Sequence, residues 1–303
     1  MTPATSRDLA AKNGDVTLAG TLWLPAVAPK AAVLMHPGSG PSDRDNDVFY
    51  PPIREHLLGA GIAVASFDKR GVGGSGGRWE DAGIVEQADD ALAGVAAFAK
   101  EVAVPIGLFG HSQGGWVVVE AAGRSADVAF VVSSSGPGVT PAEQERYSAV
   151  RYLQSKGLPS DRFDSAMRDF DLLVGLMREG VAFDDARRRI EADKLASAYD
   201  ELDLPFVPED EAVWDFACTI IEYDPRPALE RIRVPILALF GGADTIVPVE
   251  ESVVVYRDAV RTELLTVELF PGANHRIQVG DPPLMADGYL EALSSFIEKA
   301  VAP

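Results

Sequence analysis

Short, largely apolar runs recur along this chain, at Ala31–His36, Ile62–Phe67, Val104–Phe109, Ala129–Ser135 and Val234–Phe240. Runs of this length with no polar alternation predict strands buried on both faces. An earlier stretch, Val16–Pro25, alternates with a period near two and stops at proline, as an antiparallel strand at the start of a sheet would. Helical spacing separates the runs. It is clearest from Val85 to Val102, where Ala88, Leu92, Val95, Phe98 and Ala99 share one face. Shorter helices are predicted near Ile53–Gly59 and from Gly114 to about Ala122. Strand and helix thus alternate, which builds a mostly parallel sheet flanked by helices: an α/β fold.

The rhythm breaks after Gly138. From Val139 to about Glu230 the pattern gives helices near Ala142–Lys156, Arg162–Arg178, Ala182–Tyr199 and Glu211–Ile221, with no buried strand. Some ninety residues between two sheet strands are too many for a loop, so a helical cap is expected over residues 139–230, inserted into a core made of 1–138 and 231–303. After Val234–Phe240 the core resumes with a helix at Val249–Val260, a strand at Glu263–Phe270 and a last helix at Met285–Val301.

With 47% hydrophobic residues in 303, a large buried core is within reach. The formal charge of −19 argues against nucleic acid and anionic membrane surfaces, both of which need basic patches. Cys218 is the only cysteine, so an internal disulfide and any cysteine-rich zinc site are ruled out by count. Met1–Ala11 lacks the basic-then-apolar pattern of a secretory signal, and no apolar run approaches the ~20 residues of a membrane span. A cytoplasmic protein is the expectation. The oligomeric state is left open, a homodimer included.

The chemistry concentrates at Gly110-His111-Ser112-Gln113-Gly114. G-x-S-x-G between an apolar strand and an apolar helix is a nucleophile elbow, which holds its serine over a helix N-terminus. Gly73-Gly74-Ser75-Gly76-Gly77 matches the same pattern but has neither the strand directly before it nor the helix directly after. Only Ser112 has the right context. A serine nucleophile needs a base, and that base needs a carboxylate to fix its tautomer. Of four histidines, His56 falls in a helix, His36 ends a strand, and His111 abuts the serine with its ring expected to point away. His275 alone sits in a loop after the last strand. Asp244 follows a buried strand through Gly241-Gly242, which completes the chain order Ser…Asp…His.

These features resemble the α/β-hydrolases, and more narrowly the esterase and serine-aminopeptidase-like (S33-type) group with Gly-Ser-Gly-Pro-x-Asp-Arg-Asp after the third strand. Here that motif reads Gly38-Ser39-Gly40-Pro41-Ser42-Asp43-Arg44-Asp45. Leu18–Leu22 with Pro25, Asp68-Lys69-Arg70-Gly71-Val72-Gly73-Gly74-Ser75, and Glu143-Gln144 also match, so the likeness covers nearly the whole chain. It implies an α/β-hydrolase fold and a Ser112–His275–Asp244 triad. Pro37 stands where the group often has histidine, and proline has no N–H to donate. The oxyanion hole is therefore expected from the backbone N–H groups of Gln113 and Ser39, with Gly38 passing close to substrate. Asp43-Arg44-Asp45 reads as an ion-paired anchor for that turn more readily than as a substrate contact. Hydrolysis of small carboxylic esters through an acyl-enzyme is the first expectation, and it requires no cofactor or metal. Aminopeptidase, amidase, thioesterase and acyltransferase activities would use the same residues.

Two readings compete. Gly71–Gly76 also fits G-x-G-x-x-G, yet the acidic residues about 20 positions on, Asp89 and Asp90, fall inside a predicted helix and not at a strand end. A non-catalytic binding module would lack a triad residue, and all three are present. For the pocket, the cap supplies the aromatics Tyr199, Phe206, Trp214 and Phe216, of which Trp214 or Phe216 is expected to face the substrate.

Overall fold

The computed structural model describes residues 4–193 and 210–302. Its sheet has eight strands: β1 (Thr5–Asn13), β2 (Val16–Leu24), β3 (Ala31–His36), β4 (Ile62–Phe67), β5 (Ile106–His111), β6 (Val131–Ser134), β7 (Ile236–Gly241) and β8 (Leu265–Phe270). They lie in the order β1-β2-β4-β3-β5-β6-β7-β8. β1, β2 and β4 pair antiparallel, and every pairing from β4 to β8 is parallel. β1 escapes the sequence reading because only Leu9 and Ala11 of its nine residues are buried, too few to show a period.

Buried strands send successive side chains to opposite faces, and two cores result. Ala32, Leu34, Leu108, Val131, Ile236 and Ala238 face one side, under α2 (Ile84–Phe98), α3 (Gln113–Arg124) and α9 (Val249–Ala259). Their neighbours Val33, Met35, Phe109, Val132, Leu237 and Leu239 face the other, under α1 (Tyr50–Gly59) and α10 (Tyr289–Ala300). Three helix boundaries differ from the sequence reading by three residues or more. α1 starts at Tyr50 because Pro51 and Pro52 fall in its first turn, where a missing N–H costs nothing. α2 stops at Phe98, where the N–H groups of Glu101 and Val102 turn back to its carbonyl. α10 starts at Tyr289, since Met285 belongs to a short strand paired with Gln278–Val279.

Between β6 and β7 the chain forms α4 (Pro141–Ser155), α5 (Ser160–Arg178), α6 (Phe183–Asp193), α7 (Glu211–Ile220) and α8 (Arg226–Arg231). α4 opens with a reciprocal cap: Thr140 Oγ1 accepts from Glu143 N–H and the Glu143 carboxylate accepts from Thr140 N–H. α4 to α7 bury their own apolar cluster, with Leu153, Phe170, Leu173 and Trp214 at its centre. The predicted helix Ala182–Tyr199 is seen as α6 up to Asp193; Tyr199 and Phe206 lie outside the described residues. α8 instead packs on α3, with Ala228 and Leu229 in the main core. Among the described residues no helix is long and apolar enough to cross a membrane.

β6 is an odd central strand, because Ser133 and Ser134 are fully buried. Each hydroxyl is paired with a tyrosine from a different face: Ser133 with Tyr256 of α9 at 2.7 Å, Ser134 with Tyr289 of α10 at 2.9 Å. Leaving one such partner alone in the interior costs more than removing both. Tyr256→Phe should therefore lower unfolding free energy by about 1–2 kcal/mol in urea titrations, and adding Ser133→Ala should recover part of that loss. Additive losses in the double variant would show that the pair is not coupled.

Candidate active site

α1 follows β3 on one face and α3 follows β5 on the other, although β3 and β5 are neighbours. The strand order reverses there, and such a switch point opens a crevice at the C-terminal strand ends. Ser112 stands in it, between β5 and α3, with φ +55° and ψ −123°. A non-glycine residue in that region costs about 1–3 kcal/mol, so the surroundings must enforce it. Ser112 N–H donates to Ser134 O at 3.0 Å and Gly115 N–H to Ser112 O at 2.7 Å. A side chain on Gly110 would strike the Gly114 carbonyl, and one on Gly114 would come within 2.5 Å of His36 O.

Asp244 leaves the end of β7, and His275 follows β8. Asp244 Oδ1 accepts the N–H groups of Ile246 (2.8 Å) and Val247 (3.0 Å), which leaves Oδ2 for His275 Nδ1 at 2.8 Å. A carboxylate can only accept, so Nδ1 carries the proton and Nε2 is left basic. No hydrogen bond joins His275 to the Ser112 hydroxyl among the described residues; both line one cleft of about 670 Å³. Such links are often long without substrate.

The other histidines are occupied elsewhere. His56 Nε2 lies 3.0 Å from Ser294 Oγ. His36 is buried against Gln87, and burial with the nearby Lys69 charge pushes its ring down to about 3. His111 is likewise held well below the usual range, by burial first and by the charges of His275 and Arg276. Its ring lies 5.1 Å from that of His275. With one tautomer, a chain of bonds follows: His111 Nε2–H to His275 O (3.4 Å), Asn46 Nδ2–H to His111 Nδ1 (3.2 Å), and Gly38 N–H to Asn46 Oδ1 (3.3 Å). His111 thus ties the histidine loop to the glycine turn after β3.

That turn is held at almost every polar atom. Gly38 N–H goes to Asn46, Gly38 O accepts from Lys69 Nζ, and Ser39 O accepts from Ser42 Oγ at 2.9 Å. Ser39 N–H makes no hydrogen bond among the described residues, and Ser39 lines the cleft beside Ser112. A Cβ on Gly38 would lie 3.6 Å from that of Ser112, so the turn sits directly against the elbow. Gln113 N–H, at the start of α3, is the other donor next to the serine. Arg44 anchors the turn from behind, with Nε and Nη2 on the Asp68 carboxylate (2.9 and 2.6 Å) and Nη1 on Thr21 Oγ1 (2.6 Å). Asp45 pairs with Arg54 at 2.6 Å, and Asp43 Oδ1 accepts the N–H of Asp45 at 3.0 Å. Ser75, the second G-x-S-x-G serine, is buried, accepting from Ala19 N–H and donating to Asp68 O.

An adjoining cleft of about 510 Å³ runs from Ser39, Gln113 and Trp116 into the helices after β6. Phe170, Leu173, Val174, Met177, Val213 and Phe216 wall it. Phe216 also stacks edge-on against Trp79, with centroids 5.0 Å apart. Trp214 points the other way: it is buried among those helices, with its Nε1–H on Val181 O at 2.8 Å. The sequence reading singled out neither Asn46 nor Tyr147, whose hydroxyl donates to Asp244 O at 3.0 Å. Nor did it select Glu145, which lines both clefts, from the acidic residues of the inserted helices. Lys69 stood in a quoted motif without a role.

The profile of the family described as serine aminopeptidase, S33, matches residues 28–282. Esterase EstD of Thermotoga maritima is 24% identical over 281 residues, which cover 88% of this chain and 60% of the relative. Among solved structures, an esterase of Pyrococcus furiosus superposes with a TM-score of 0.62 at 18% identity, covering 98% of this chain and 92% of that one. A proline iminopeptidase of Mycobacterium smegmatis gives 0.63 at 17% identity, with 97% and 98% covered. The profile spans most of the sequence, and these solved structures share the fold. The protein belongs to the serine aminopeptidase S33 family: it is an enzyme, a hydrolase with the α/β-hydrolase fold.

Proposed function

We propose that the protein is a serine hydrolase that cleaves small carboxylic esters through an acyl-enzyme. The observation that carries this is the 2.8 Å bond from His275 Nδ1 to Asp244, beside a cleft that also holds the strained Ser112. Ser112 Oγ attacks the ester carbonyl carbon as His275 Nε2 takes its proton. The oxyanion is received by Ser39 N–H and Gln113 N–H. His275 then returns the proton to the leaving alkoxide oxygen as the acyl–oxygen bond breaks, leaving the acyl group on Ser112. A water, deprotonated by His275, attacks that acyl-enzyme; the acyl–Oγ bond breaks as His275 returns the proton to Ser112 Oγ, and the carboxylic acid is released. Asp244 holds the ring and the imidazolium without taking the proton. The helices between β6 and β7 act as a cap: their apolar cleft receives the acyl or alcohol group. Trp214 serves the cap's own packing and Phe216 its pocket wall.

Glu145 gives the aminopeptidase reading a specific footing, since an acidic group beside the cleft could hold a substrate's ammonium. Burial pushes its carboxyl up to about 7, however, which weakens its hold on a cation near neutral pH. The esterase reading predicts turnover of acyl esters well above that of aminoacyl anilides on parallel panels, and a Glu145→Gln variant that keeps ester kcat. If anilides were preferred and Glu145→Gln lost them selectively, the aminopeptidase reading would replace it.

Ser112→Ala should reduce ester kcat by at least about 10³-fold with an unchanged melting temperature. Turnover that survives in Ser112→Ala would place the nucleophile elsewhere. For the cap, Phe216→Ala should change the kcat/KM ratio between short and medium acyl chains by about 1–3 kcal/mol. Trp214→Ala should leave that ratio alone and lower stability by about 3–5 kcal/mol. The opposite pattern would assign the wall to Trp214.

A further inference from the structure

Lys69 is a buried lysine that makes no salt bridge among the described residues. The charges around it are already spoken for: Asp68 is on Arg44 and Asp90 is on Arg70 at 2.6 Å. His36, another titratable neighbour, is held neutral partly by Lys69 itself. Lys69 Nζ instead donates to two uncharged acceptors, the Gly38 carbonyl and Gln113 Oε1, the latter at 3.1 Å. An ammonium without a counter-charge in the interior is costly, and burial pushes this one down to about 7. Nothing in the packing of the sheet calls for it.

Its two acceptors show what it does. Gly38 O and Ser39 N–H belong to one trans peptide, so the two bonds point in opposite directions across a plane. Fixing the carbonyl on Lys69 fixes the direction of the N–H, and a cation on the carbonyl polarises that N–H toward a stronger donor. Gln113 carries the second donor on its backbone and is gripped through its side chain. We propose that Lys69 is a positioning residue for catalysis: one buried ammonium clamps the Gly38–Ser39 peptide and Gln113 together so that both N–H groups converge on the oxyanion. The inference rests on the oxyanion assignment above and gives it a cause. Lys69 touches no substrate; it acts through the peptide.

The test compares Lys69→Met, Lys69→Gln and Lys69→Arg with wild type, with Ser112→Ala as the control for the site itself. Kinetics use a short acyl p-nitrophenyl ester, and transition-state affinity uses an alkylboronic acid. Lys69→Met should lose about 10²-fold in kcat, near the effect of losing one oxyanion donor, with KM within about threefold. Boronate affinity should fall in parallel, and Lys69→Arg should recover at least tenfold over Met. Should the Met variant fail to fold, Lys69→Gln carries the test: it keeps a neutral donor and should still lose at least tenfold in kcat. A folded Lys69→Met or Lys69→Gln with wild-type kcat and boronate affinity, while Ser112→Ala is dead, overturns this inference alone. An active Ser112→Ala overturns the site reading beneath it.

Discussion

The structure turns on one backbone constraint: a serine held at φ +55° between β5 and α3. No L-residue adopts that geometry without support, so each neighbouring element is shaped to supply it. Gly110 and Gly114 give clearance on either side. β6 supplies the Ser134 carbonyl that holds Ser112 N–H, and two tyrosines from opposite faces bond the two buried hydroxyls of β6. The polar groups of that strand look out of place in a core until their partners are seen. They join both layers of helices to the strand beside the elbow.

A second layer of organisation converges on the same point. The glycine turn after β3 is held by Asn46, Lys69 and Ser42, and from behind by Arg44 on Asp68. Burial would raise the Asp68 carboxyl, but the hydrogen bonds from Arg44 and from Gly74 N–H outweigh it and hold it below its ordinary value. That anchor therefore contributes fully above the usual carboxylate range and is lost as pH falls through the depressed value. His111 then connects the turn to the His275 loop through Asn46. The three strand ends that carry the proposed chemistry are thus one hydrogen-bonded unit. Tyr147 extends that unit to α4 by bonding the Asp244 carbonyl.

Much of this was legible in the sequence, for physical reasons. Strands buried on both faces leave mostly apolar runs, so the parallel sheet and the elbow could be read directly. The proposed order Ser112, Asp244, His275 was read from the positions of these residues after buried strands. β1 was missed because an exposed edge strand with two buried residues carries no period. The hydrogen-bond partners of the glycine turn could not be read, because Asn46 and Lys69 come from separate loops that only the fold brings together. The same holds for the inserted helices. Trp214 and Phe216 are two residues apart on α7, and sequence cannot say which faces the cleft.

The central claim is that Ser112 is the nucleophile, and covalent capture tests it most directly. The intact protein, treated with a fluorophosphonate, would be measured by mass spectrometry and then digested to locate the adduct. The account predicts one adduct per chain, on the peptide that carries Ser112, and none in a His275→Ala variant under the same conditions. An adduct on Ser39 or Ser75, or undiminished labelling of Ser112 without His275, would contradict it.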